Sequence, residues 1–175
     1  MPIVGSDLQM FLSGGSTGAG NTDPAESLGS VITSTAVDQN TTLNNLFDDV
    51  GSTESADGDI EYRCVWIKNN HASLTLQNAS VYIYSNTPST FTDMAIGFEP
   101  GVVGAVPSII ADENTAPAGV SWTSSTGEGN KITVTGSDML FSEIQALWVR
   151  RTVSAGASAY ANDAVILRIL GDTLP

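Results

Sequence analysis

The sequence predicts an all-β protein: an antiparallel β-sandwich, immunoglobulin-like or jelly-roll-like, carrying an irregular N-terminal extension. Three observations predict it. Ile144 to Val153 (IQALWVRRTV) is apolar at both parities before it turns cationic, the pattern of a strand inside a sheet. Ile60 to Asn69 (IEYRCVWIKN) repeats that mixture of aromatic, β-branched and basic residues, and the two segments together hold four of the six Lys and Arg. The other apolar runs are short and bounded by Gly, Pro, Asn, Asp or Ser, as in sandwiches.

Taken in order, the chain begins with an apolar patch at Leu8, Met10, Phe11 and Leu12, long enough for an edge strand or for docking onto a neighbour. Ser13 to Pro24 is rich in Gly, Ser and Asn, has little to bury against its ordering entropy, and predicts a loop or arm. A second patch follows at Leu28, Val31 and Ile32. Leu43, Leu46, Phe47 and Val50 are spaced i, i+3, i+4, i+7, which predicts two helical turns starting near Thr41 or Thr42 and ended by Gly51. The expected organisation is therefore an acidic, loop-rich extension over residues 1–58 and a sandwich domain over 59–175.

Within the sandwich, Leu74 to Ser85 shows apolar residues at Leu74 and Leu76 and then at Ala79, Val81 and Ile83. Inward parity flips near Asn78, which predicts a β-bulge there and turns Tyr82 and Tyr84 toward solvent or a partner. Met94 to Phe98, Lys131 to Gly136 and Ala164 to Gly171 predict further strands. Residues 99–130, with Pro100, Pro107, Pro117 and many glycines, predict a long surface loop to which Ile109-Ile110 and Val120-Ser121-Trp122 could add short strands.

The net charge of −13 is uneven: residues 1–62 contain ten acids and no Lys or Arg, and the remainder nine acids against six bases. Such a field repels phosphate backbones, so free nucleic acid is not an expected ligand, whereas a basic partner surface is attracted. Cys64 is the single cysteine, which excludes an intrachain disulfide; mid-strand, it reads as a small buried hydrophobe. No apolar run reaches the roughly 18 residues of a membrane span, and the N-terminus lacks the cationic start and apolar core of a signal peptide, so synthesis in a cytosol and no membrane partner are expected. The sequons at Asn40 and Asn78 carry no weight without a secretory signal.

Catalytic signatures are sparse. His71, the only histidine, lies in Asn69-Asn70-His71-Ala72-Ser73 between two strands and reads as a turn residue. One His and one Cys cannot form a tetrahedral zinc site, and the glycines at 14, 15, 18 and 20 fit neither a phosphate loop nor a dinucleotide fingerprint. Asp57, Asp59 and Glu61 offer oxygen ligands at alternate positions, as a Ca²⁺ site would, but without the full loop pattern they read as a solvated turn entering a strand. No catalytic, cofactor or metal residues are assigned, and the chain is read as a non-enzyme.

Leu12-Ser13-Gly14-Gly15, Asn21-Thr22-Asp23-Pro24, Ser27-Leu28-Gly29, Leu46-Phe47-Asp48-Asp49-Val50, Gly58 to Cys64 and Lys68-Asn69-Asn70, continued by Leu147 to Arg151, Asn162-Asp163 and Gly171-Asp172-Thr173, resemble structural proteins of tailed bacteriophage virions. The resemblance runs through nearly the whole chain and rests on scaffold features. It implies a small β-rich virion component, a head decoration (cement) protein that binds the major capsid protein, forms trimers and sits on the capsid surface. The alternative is a tail or fibre component binding host glycans through Tyr82, Tyr84, Trp122 and Tyr160. A glycan hydrolase, the third reading, needs two carboxylates at fixed separation in a cleft, which acids in flexible segments do not supply. Leu8, Met10, Phe11, Leu12, Leu28, Val31, Ile32, Leu46 and Phe47 are the candidate interface.

Overall fold

The computed structural model describes residues 1–38, 44–160 and 163–173. Among them, eight strands form two antiparallel sheets. The strands are β1 (Leu8–Ser13), β2 (Ile32–Ala36), β3 (Asp59–Asn69), β4 (Gln77–Ser85), β5 (Thr92–Phe98), β6 (Ile132–Thr133), β7 (Ile144–Val153) and β8 (Ile166–Asp172), with one short helix, α1 (Ser52–Asp57). The larger sheet runs β2-β1-β3-β7-β5 and the smaller β6-β4-β8. Among the described residues no helix is long and apolar enough to cross a membrane.

The segments apolar at both parities form the interior strands β3 and β7. β3 and β7 pair from Asp59↔Val153 to Lys68↔Ile144 without a register break. Both faces of this pair are buried, which is why neither strand alternates between apolar and polar. On one face Val65, Ile67, Leu147 and Val149 meet Ala79, Val81 and Ile83 of the smaller sheet, with Met94 and Ile96 of β5 alongside. On the other, Tyr62, Cys64, Trp66, Ala146 and Trp148 are covered by Leu28, Ile110, Val120 and Trp122 from the irregular segments. Trp66 and Trp148 are fully buried, and truncating either to Ala costs about 3–5 kcal/mol. Their indole N–H groups donate to Ser30 O (3.1 Å) and Glu99 Oε2 (2.7 Å), so neither ring buries an unpaired donor.

Residues before position 59 contribute directly to this sheet. β1 pairs with β3 from Leu8↔Asn69 to Leu12↔Val65, and β2 adds to the outer side of β1. A boundary at 58/59 therefore falls between strands of one sheet. The Gly/Ser/Asn segment is held by polar groups rather than apolar ones: buried Asn21 donates to Ser13 O (2.8 Å), and Ser27 Oγ accepts from Ser13 N (2.8 Å) while donating to Cys64 O (2.6 Å).

The helix predicted from Leu43 is not formed over the described residues 44–50, which are a turn and bend at 44–47 and irregular at 48–50; Leu43, Thr41 and Thr42 lie outside the described residues. Leu46 and Phe47 instead both pack against the inter-sheet core, and Gly51 precedes α1 rather than ending a helix. The bulge near Asn78 is present as a register shift between Gln77 and Ser80, with Asn78 at φ 52°. Beyond it Tyr82 is buried, against the expectation of exposure, whereas Tyr84 is 48% exposed. Residues 99–130 are irregular apart from a 3-10 turn at Glu128–Asn130, and Ile109-Ile110 and Val120 to Trp122 form no strand. The loop reaches β5 through Thr123, which bridges Ile96. Gly97 makes that approach possible, because a Cβ there would lie 2.4 Å from Ser121 O.

Candidate functional site

Charge concentrates where α1 leads into β3, at one end of the inter-sheet face. Glu61 and Arg63 share the parity of Val65 and Ile67, and register sets Arg151 of β7 directly opposite Glu61. Glu61 is fully buried, and Arg63 and Arg151 nearly so. Arg151 Nε donates to Glu61 Oε2 and Arg63 NH2 to Glu113 Oε2. Arg151 also donates to the carbonyl of Asp48 and to its Oδ1 (3.3 Å). The Phe47 ring is within cation–π distance of both guanidiniums, 5.3 Å from Arg63 and 5.0 Å from Arg151.

The neighbouring chain follows from where β1 stops. Its pairing with β3 ends at Leu12↔Val65, so the first half of β3 presents free backbone groups on that side. They are taken by loops: Cys64 N donates to Ser27 O and Tyr62 N to Glu113 O, both at 2.7 Å. The second contact is what brings Glu113 to Arg63.

Burial raises the Glu61 pKa above its ordinary value, and the hydrogen bond and charge of Arg151 and the charge of Arg63 offset this in part. Glu61 Oε1 and Arg63 Nε are buried without hydrogen-bond partners. Two triplets of carboxylates meet at Glu61. In each of Asp48, Glu61, Glu113 and Glu54, Asp59, Glu61, one oxygen per residue lies within 4.8 Å of the others. Asp59 and Glu61 of the sequence pattern therefore do come together, but Glu54 of α1 joins them in place of Asp57. Glu54, Asp48 and Glu113 carry no local sequence signal linking them to Glu61; only the fold assembles them.

The nine residues proposed as an interface sit mostly in the protein's own core. Leu12 is buried; Leu8, Met10, Leu46 and Phe47 pack against the inter-sheet core and Phe11, Leu28 and Ile32 against the opposite one. Val31 is the one of the nine with a large exposed area, at 40%. It has exposed apolar neighbours, since Ser30 N donates to Pro107 O and Ile110 N to Leu28 O, running 28–31 antiparallel to 106–110. Val31, Val106 and Ile109 thus lie on two adjacent segments, the last two 59% and 52% exposed.

Of the four aromatic candidates, Tyr82 and Tyr84 meet edge-on (6.4 Å), and Tyr160 is 54% exposed. Trp122 is half-buried between Tyr62 (5.6 Å) and Arg150 (5.2 Å), Tyr82 is buried, and Tyr84 lies under the Arg168 guanidinium. His71 Nδ1 accepts from Ser73 N and Leu74 N, so its ring braces the turn that the sequence predicted. Cys64 is buried, and burial raises its thiol pKa far above the ordinary value.

No family model matches the chain, and searches of curated proteins and of solved structures returned no match.

Proposed function

We propose that this protein is a structural component of a tailed-bacteriophage virion, a head decoration protein that binds the major capsid protein as a trimer and stabilises the shell. The observation that carries this reading is that Val31, Val106 and Ile109 are exposed apolar residues on two paired segments of an otherwise acidic chain. The segments are fixed by backbone hydrogen bonds to each other and to Gly14 and Gly15 after β1, so these residues are held in place before any docking. Exposed apolar residues on a chain of net charge −13 suit docking on a basic shell, with the charge acting on association rate and the apolar contact on residence time. A stable interface buries about 1,200–2,000 Å² in total, so these residues supply part of a contact and not its whole area. The resemblance of the scaffold motifs to virion proteins points the same way.

Co-sedimentation of the purified protein with expanded heads tests the reading. Saturable binding that slows with added salt and is weakened by Val106→Asp and Ile109→Asp is expected, with light scattering giving a mass near three chains free or a trimeric cluster on the shell. Retention by tails or by a glycan array, abolished by Tyr84→Ala or Tyr160→Ala, would replace it with the tail or fibre reading, which those two half-exposed tyrosines favour.

A further inference from the structure

We propose that Glu54, Asp59 and Glu61 form a binding site for a divalent cation of the calcium class. The inference is independent of the virion reading and starts from spacing. One carboxylate oxygen from each residue lies within 4.8 Å of the other two. Oxygens bound to Ca²⁺ at about 2.3–2.6 Å are separated by no more than about twice that length, so one ion can reach all three.

A second observation points to a ligand. Glu61 Oε2 is engaged by Arg151, but Oε1 is buried with no hydrogen-bond partner on a side chain only 1% exposed. A buried carboxylate oxygen without a donor is costly, and such an atom in a native fold calls for a bound partner.

Charge separates this triplet from the other. Asp48 and Glu113 are each paired with an arginine, so the triplet of Asp48, Glu61 and Glu113 is already neutralised in part. Among the described residues no Lys, Arg or His pairs with Glu54 or Asp59. Their hydrogen bonds come from neutral donors that orient the carboxylates: Gly51 N to Glu54 Oε2 and Asn114 Nδ2 to Asp59 Oδ1 (2.8 Å). Such supporting bonds to ligands are what fix a metal site.

The local fold preorganises the three. Strand parity sets Asp59 and Glu61 on one side of β3, and Gly58, at φ 81°, turns the chain so that Glu54 of α1 folds back over them. Gly58 N donates to Glu54 O at 2.8 Å, locking that turn. An all-carboxylate donor set selects a hard cation over zinc or copper. Ca²⁺ fits better than Mg²⁺, because it accepts irregular geometry, and the half-buried Glu54 and Asp59 leave room for water to complete its shell.

The test is calorimetric titration of Ca²⁺ into the full-length protein after chelator treatment, with thermal unfolding in parallel. One ion per chain is expected, with a transition temperature that rises with Ca²⁺ concentration. Glu54→Gln and Asp59→Asn, both at half-buried positions that spare the Glu61–Arg151 pair, should each weaken binding by at least about tenfold, while Asp49→Asn should not change it. Three results overturn the proposal: no heat of binding, which would leave Oε1 to a water shared with Arg63 Nε; equal affinity for Mg²⁺; or Ca²⁺ affinity unchanged in the Glu54→Gln/Asp59→Asn double variant.

Discussion

Arg151→Leu isolates the energetics of the buried charge cluster. Arg151 is 7% exposed and supplies the hydrogen bond that Glu61 receives, since Glu61 Oε1 already has no partner. Removing the guanidinium leaves a fully buried carboxylate with Arg63 as the nearby positive charge and other carboxylates close by. Breaking a buried pair from one side costs about 3–5 kcal/mol. At about 2–4 °C per kcal/mol for a chain of this size, the unfolding midpoint should fall by about 6–20 °C. Replacing both partners, as Glu61→Leu/Arg151→Leu, removes the uncompensated charge and should recover most of that loss, giving a coupling energy of about 3 kcal/mol in a double-mutant cycle. Urea unfolding in the presence of a chelator measures it without a contribution from bound cation. The sign of the pH dependence follows from burial. Because the folded pKa of Glu61 is raised, its protonated form is favoured in the fold; that contribution is complete below the unfolded value and is lost as pH rises through the folded one. In Arg151→Leu the rise is larger, so its deficit should shrink as pH is lowered. A deficit below about 1 kcal/mol at neutral pH, or a double variant as unstable as the sum of the two single ones, would refute the reasoning.

Three other outcomes are expected. Ser27→Ala removes the acceptor for Ser13 N and the donor to Cys64 O, and should cost about 1–3 kcal/mol by chemical unfolding; a neutral result would mean that this buried junction is satisfied in another way. Gly97→Ala places a Cβ 2.4 Å from Ser121 O and 2.5 Å from Val120 Cγ1, so it should cost about 1–3 kcal/mol and shift Trp122 fluorescence as the loop moves off β5, whereas an unchanged spectrum would show that the loop is not seated there. Limited proteolysis of the native protein should spare residues 13–24 as well as β3 and β7, because Asn21 and Ser27 tie that segment to β1 and β3; rapid cleavage within it would contradict these bonds.

The sandwich was legible in the sequence because burial on both faces removes alternation from a strand, and Ile60 to Asn69 and Ile144 to Val153 both showed that loss. The parity flip at Asn78 was legible for a related reason, since one inserted residue reverses every later side chain. The role of residues 13–27 was not, because their order comes from buried hydroxyl and amide bonds such as Ser27 to Cys64, which leave no periodic signature. The i, i+3, i+4, i+7 spacing around Leu46 and Phe47 misled for the opposite reason: tertiary packing took both residues into the inter-sheet core without a helix. Of the charge cluster, Asp59 and Glu61 could be read from their alternate spacing. Glu54, Asp48, Glu113 and Arg151 come from elements that only the register of β3 with β7 and the loop contacts bring together.

Hydrogen exchange of the protein free and bound to expanded heads shows whether it docks on a capsid shell through the paired apolar segments. New protection is expected at residues 28–31 and 106–110, with β3 and β7 equally protected in both states. Binding to heads with no change in those two segments, or protection confined to the region of Tyr84 in the presence of saccharide, would contradict it.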